Sequence, residues 1–165
     1  MPMDFSRIPL RAWFAALALG CFGLVVFSMT LQHMLRLAPC PLCIFQRLLY
    51  LTISVLALAG FLLPLARPFW RGAIGAVTLL GAGVAAYQTW MQLYPELAPE
   101  CSFTDPNLIE RLVDWLGMQF PSLFLATGFC ASIEWSLLGL SMANWSLLIF
   151  SAIAVYVMLT LRRRP

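Results

Sequence analysis

Cys40 and Cys43 stand two residues apart in the stretch Pro39-Cys40-Pro41-Leu42-Cys43-Ile44-Phe45-Gln46-Arg47. Thiols at that spacing can cross-link a loop, ligate a metal or cycle between dithiol and disulfide. Arg47 follows Cys43 by four residues. If Cys43 opens a helix, the two side chains share one face, a turn apart. A guanidinium there would favour the thiolate, which is the reactive form of cysteine. Zinc would want two more ligands at suitable spacing, and His33 is the one histidine in the chain. A two-residue spacer closes a very small ring and removes little chain entropy, which argues against stability as the purpose of a Cys40–Cys43 bridge. The stretch reads as a reactive dithiol beside a fixed positive charge.

Three other cysteines are present. Cys101 and Cys130 fall outside the long apolar runs, with 28 residues between them, and Cys21 falls inside one. Four loop cysteines allow three pairings. A Cys101–Cys130 bridge would be worth about 3–4 kcal/mol as a structural staple in the loop-entropy model. Its place in a polar loop suits another use. Two disulfides on one face of a membrane can pass electrons by thiol–disulfide exchange, in which a thiolate attacks a sulfur in line. Cys21 reads as an inert buried thiol.

The elements that must position these residues follow from composition. Of 165 residues 62% are hydrophobic and 10% charged, and mean hydropathy is +0.88. A soluble domain carries about 25% charged residues, so lipid is the expected solvent. Ten Arg and no Lys give a net charge of +3. The basic residues are sparse and not interleaved with aromatics, which excludes a nucleic-acid footprint. Arg162-Arg163-Arg164 follows an apolar run and suits anionic headgroups.

Four spans are expected, at about 13–31, 46–65, 72–92 and 145–161, forming one membrane domain over 1–165. The first 19 of these residues reach about 28 Å, close to the hydrocarbon thickness. The run exceeds a signal-peptide core and no clear A-x-A site follows. Loops are expected at about 32–45 and 93–144, with a tight turn at 66–71. Pro39 and Pro41 bracket Cys40 and predict an extended loop there. The third span is rich in small residues. Gly81 with Ala85, or Ala82 with Ala86, would let helix backbones approach closely. Trp90 and Tyr94 fit an aromatic belt.

In the long loop, Asp105-Pro106 reads as an N-cap followed by Pro at N1, and Gly117 as a stop. Leu108, Ile109, Leu112, Val113 and Leu116 recur at helical spacing between them. The segment is expected to be a short amphipathic helix, either lying on the bilayer or capping the bundle. The apolar stretch from Phe120 to Ile133 is too short to span. The fold class is thus an all-α membrane protein, a four-transmembrane-helix bundle with a short amphipathic helix in its second outer loop.

Seven arginines (Arg7, Arg11, Arg67, Arg71 and Arg162 to Arg164) flank one side of this arrangement. Arg36, Arg47 and Arg111 flank the other. Both termini and the 66–71 turn are therefore expected in the cytoplasm. All four loop cysteines then lie outside, which in a bacterium is the oxidising periplasm. The electron acceptor for such a dithiol must sit in or near the bilayer. No haem, flavin or nucleotide motif is visible, and a lipid-soluble quinone would fit.

Gln32-His33, Pro39-Cys40-x-x-Cys43-Ile44-Phe45-Gln46-Arg47, Gln92-Leu93-Tyr94-Pro95, the Cys101 and Cys130 pair, and Trp135 followed by Leu138-Gly139-Leu140 together resemble the disulfide bond formation protein B (DsbB) family. The likeness covers nearly the whole chain, in order. It implies an inner-membrane protein-disulfide:quinone oxidoreductase that sustains disulfide bond formation. Cys101–Cys130 would receive electrons from a periplasmic thioredoxin-like oxidase of the DsbA type, with Cys101 attacked to form the mixed disulfide. Cys130 and Cys40 would exchange between loops. Cys43 would face ubiquinone or menaquinone, and Arg47 would hold the quinone oxygen and the thiolate. Gln88 stands where family members often carry a histidine, so any role of that histidine does not carry over. Pro41 is a further departure. Trp135 reads as a headgroup-level aromatic or a neighbour of the quinone, and His33 as a loop residue. Two rivals remain on the residues alone: a non-enzymatic four-span scaffold with stapled outer loops, and a small metal-binding membrane protein.

Overall fold

The computed structural model describes residues 10–96 and 107–162. Within them run α1 (Leu10–Leu35), α2 (Pro41–Leu62), a 3-10 turn (Pro64–Ala66), α3 (Arg67–Leu93), α4 (Leu108–Gln119), α5 (Pro121–Phe124), a two-residue hairpin β1 (Ser136–Leu137) and β2 (Leu140–Ser141), and α6 (Met142–Arg162). Among the described residues, four helices are long and apolar enough to cross a membrane. They are α1, α2, the 3-10 turn with α3, and α6. The chain is a multi-pass membrane protein built as a helical bundle.

Each long helix forms because an uninterrupted apolar run leaves its backbone no polar partner in lipid except itself. α2 is the spine and packs against α1, α3, α4 and α6. α3 and α6 pair along their lengths. Phe14, Ile53, Ala57, Ile74, Ala85 and Phe150 are fully buried between the helices. Trp13 of α1 stacks on Tyr156 of α6, ring centroids 5.4 Å apart, and closes the bundle at one end. At that end the Arg11 guanidinium lies 4.9 Å above the Phe61 ring, joining the start of α1 to the end of α2.

Small residues set the close approaches. The Phe14 ring lies where a side chain on Gly60 would begin, and a Cβ on Gly81 would meet Phe150 ring atoms at 2.6–2.8 Å. Of the two small-residue pairs expected in α3, Gly81 and Ala85 face the core, while Ala82 is half-buried and Ala86 is exposed.

Several element boundaries differ from the sequence expectation. The segment 32–39 is not all loop: α1 continues through Gln32 and His33 to Leu35. Arg36, at φ 52°, then takes the left-handed conformation, and the Leu37 N–H reaches back to the Gln32 carbonyl at 3.0 Å, a Schellman-type stop. Pro41 does not extend the loop. It occupies the first turn of α2, where its missing N–H costs nothing and its fixed φ suits the helix. Arg67 and Arg71 belong to α3 rather than to a turn.

α4 begins at Leu108. Its N-cap is Asn107, in a capping box: the Glu110 N–H donates to Asn107 Oδ1 (3.0 Å) and the Asn107 N–H donates to the Glu110 carboxylate (2.8 Å). The expected cap at Asp105-Pro106 lies outside the described residues. Gly117 does not end the helix. It is buried in the last turn, where a Cβ would meet the Phe124 carbonyl oxygen at 3.0 Å. Val113, Gly117, Ile109 and Leu116 pack inward, while Leu108, Trp115 and Met118 stay exposed on an adjoining face. α4 therefore caps the bundle and also presents an apolar strip outward.

Candidate functional site

Cys40 is the N-cap of α2, extended at φ −82°, ψ 163°. Pro41 at the first helical position stops the helix from starting earlier and fixes where it does start. The Cys43 N–H donates to Cys40 Sγ at 3.3 Å, so the sulfur takes the place of the hydroxyl or carboxylate usual in a cap. The two sulfurs lie 2.9 Å apart. Both stand at the N-terminal, positive end of the helix dipole, where anions are favoured.

Arg47 is one turn further along α2 and almost fully buried. Its guanidinium donates from Nη1 to the Leu123 carbonyl (2.8 Å) and from Nη2 to Gln32 Oε1 (2.9 Å). Its Nε is buried without a hydrogen-bond partner. Such an orphaned donor is costly in a protein interior and marks a place where a ligand acceptor would be welcome.

The loop after α5 comes down on the Cys40 turn. The Thr127 and Gly128 N–H groups both donate to the Pro39 carbonyl, at 2.9 and 3.1 Å. The Ala38 N–H donates to the Glu134 carboxylate at 2.6 Å. Gly128 is required by the closeness of this docking, because a Cβ there would run into the Ala38 carbonyl oxygen. The clasp brings Cys130, itself buried, into hydrogen-bond contact with Cys40. That contact, with a second hydrogen bond to Cys43 and with burial, pushes the Cys40 thiol well above its ordinary pKa. Three sulfurs from two segments 90 residues apart thus form one cluster. Cys101 lies outside the described residues. Cys21 is buried in the core of α1.

Beneath the cluster is a cavity of about 320 Å³. Cys43, Arg47, Tyr50, Gln88 and Trp135 are on its walls, among mainly apolar residues of α1, α2 and α6. Its volume and lining are those of a site for a small, largely apolar molecule. Trp135 is half-buried there, whereas His33 is exposed and not on the wall. Gln32 as an arginine partner, Gln46, Glu134 and Gly128 are additions to the site residues expected from the sequence. Uncharged polar residues inside apolar spans were the available signal for Gln46. For Glu134 and Gly128 there was none, because their partners are remote in sequence.

Fold and site together define a multi-pass membrane protein that gathers a dithiol and a third cysteine above an apolar cavity at one end of its bundle. Comparison with known proteins narrows this. The family model described as "Disulfide bond formation protein DsbB" matches residues 10–160. A protein named Disulfide bond formation protein B from Dechloromonas aromatica is 64% identical over 162 residues, 98% of each chain. Proteins of the same name from Aromatoleum aromaticum and an Azoarcus species are 39% and 42% identical, over 93% and 88% of each chain respectively. The chain belongs to the DsbB family.

Proposed function

We propose that this chain is a protein-disulfide:quinone oxidoreductase of the bacterial inner membrane, which reoxidises a periplasmic thioredoxin-like disulfide donor of the DsbA type. The contact of Cys130 with Cys40, beside Cys43 at the cavity, is the observation that carries the reading. The partner's two thiols become a disulfide as Cys101–Cys130 is reduced, with Cys101 the atom attacked. Cys130 then attacks the Cys40–Cys43 disulfide at Cys40, across the clasp. The Cys101–Cys130 bond reforms and leaves Cys40 and Cys43 reduced. That pair loses two electrons and two protons inward, and its sulfurs bond again. A bound ubiquinone or menaquinone would supply a two-electron, two-proton acceptor that dissolves in the bilayer. The apolar cavity fits such a molecule, and the unpartnered Arg47 Nε would donate to its carbonyl oxygen.

The distribution of arginines supports both termini in the cytoplasm and the sulfur cluster at the periplasmic surface. The test is quinone reduction by purified protein with a reduced thioredoxin-like partner. Cys43→Ser is expected to abolish turnover. Arg47→Ala is expected to raise the apparent KM for quinone at least tenfold while leaving thiol exchange with the partner intact. Undiminished quinone reduction by Cys43→Ser would overturn the proposal and return the chain to a four-span scaffold with stapled loops.

A further inference from the structure

The sulfur cluster has a further neighbour, supplied by α3. Gln88 of α3 is buried, and its amide nitrogen donates to the sulfur pair, lying 3.0 Å from Cys43 Sγ and 3.2 Å from Cys40 Sγ. Its amide oxygen accepts from Gln46 Nε2 at 2.8 Å, and Gln46 is buried as well. An amide can be turned either way at a site that both donates and accepts. In the structure Gln46 Nε2 donates to the Gln88 oxygen, which leaves the Gln88 nitrogen facing sulfur.

We infer that Gln88 is a catalytic residue whose amide nitrogen stabilises the reduced dithiol, and that Gln46 is a positioning residue which fixes the direction of the Gln88 amide. A thiolate accepts a hydrogen bond far better than a disulfide sulfur does, because charge-assisted bonds are about twice as strong as neutral ones. The pair therefore favours the reduced state of Cys40–Cys43 over the bonded one and makes the couple more oxidising. Neither amide ionises, so any pH dependence of this stabilisation comes from the thiols themselves. Arg47 contributes charge from the same helix as the sulfurs, whereas Gln88 contributes direction from α3.

The inference rests on the reading of Cys40–Cys43 as a cycling dithiol, and its test omits both quinone and partner. Full-length protein is equilibrated with mixtures of glutathione and glutathione disulfide, two glutathione thiols being oxidised for each Cys40–Cys43 disulfide reduced. The fraction reduced and the alkylation rate at Cys43 are read by peptide-resolved mass spectrometry. Gln88→Met, matched in shape but lacking the donors, is expected to shift the equilibrium about tenfold toward the disulfide, equivalent to about 30 mV, and to slow Cys43 alkylation at neutral pH. Gln46→Leu is expected to shift it in the same direction by about threefold. The double variant should shift no further than Gln88→Met alone, since Gln46 acts only through Gln88.

An equilibrium within twofold of wild type in Gln88→Met, or additive shifts in the double variant, would overturn the inference. If Gln88→Met does not retain the helical content of wild type, Gln46→Leu alone decides, and an equilibrium there unchanged from wild type overturns the inference. If the variants show these shifts while wild-type protein reduces no quinone, the proposed function falls and this inference stands. The reverse pattern sinks only the inference.

Discussion

Replacing Gly128 by alanine tests whether the loop clasp delivers Cys130 to Cys40. The added Cβ would run into the Ala38 carbonyl oxygen, with the carbonyl carbon 2.9 Å away. Both are backbone atoms, so relief requires the two segments to separate. Gly128 does not have a positive φ, so alanine brings no backbone strain of its own. Separation forfeits the two N–H donations to the Pro39 carbonyl. At about 0.5–1.5 kcal/mol for each net hydrogen bond, the docked arrangement loses about 1–3 kcal/mol. At 1.4 kcal/mol per tenfold, its population falls by about 5- to 150-fold.

The assay uses a Cys43→Ser, Cys101→Ser background, in which Cys40 and Cys130 are the reactive pair left in the cluster. Diamide takes up the two electrons and two protons released as they join, and non-reducing peptide mapping follows the Cys40–Cys130 bond. The Gly128→Ala protein should cross-link at least fivefold more slowly than its parent, with unchanged helical content. Cross-linking within twofold of the parent would refute the account of the clasp.

Two further outcomes follow from the same geometry. Because Cys130 and Cys43 hydrogen-bond the neutral Cys40 thiol and raise its pKa, Cys40 should stay protonated as pH rises through the ordinary thiol range. Alkylation requires the thiolate, so its rate at Cys40 should climb only at distinctly alkaline pH, and Cys130→Ala should move that climb to lower pH. Gly81→Leu would drive a side chain into the Phe150 ring, which is itself stacked on Tyr50 with centroids 4.3 Å apart. Overpacking of this kind costs about 1–3 kcal/mol, and thermal unfolding in detergent should shift downward accordingly.

The four spans could be read from the chain because a lipid-crossing helix must be apolar over its whole length, and that leaves a visible mark. Their ends could not. His33 and Arg36 show where lipid stops, yet the backbone of α1 stays helical to Leu35 and Arg36 itself forms the stop. Pro41 looks like a breaker but acts as a starter, since the first turn needs no N–H from it. Asn107 and Glu110 spell a capping box in the sequence, directly after an Asp-Pro pair that is itself a common helix start. The hairpin at 136–141 has strands of two residues and turns through Leu138 and Gly139, both at positive φ, which no alternation pattern announces. At the site, cysteine spacing and Arg47 were legible from residue type alone. The partners of Arg47 and the clasp residues were not, since Glu134 meets Ala38 across 96 residues.

Arg47 ties together three pieces of chain that covalent connectivity keeps apart: the last turns of α1 through Gln32, α2 through its own backbone, and α5 through Leu123. A planar, forked group reaches two acceptors at once and still has an edge left over. Lysine ends in a single ammonium point and would have to choose between them. The bracket that squares up this corner of the bundle is therefore also part of the cavity wall, and no simpler cation could serve as both.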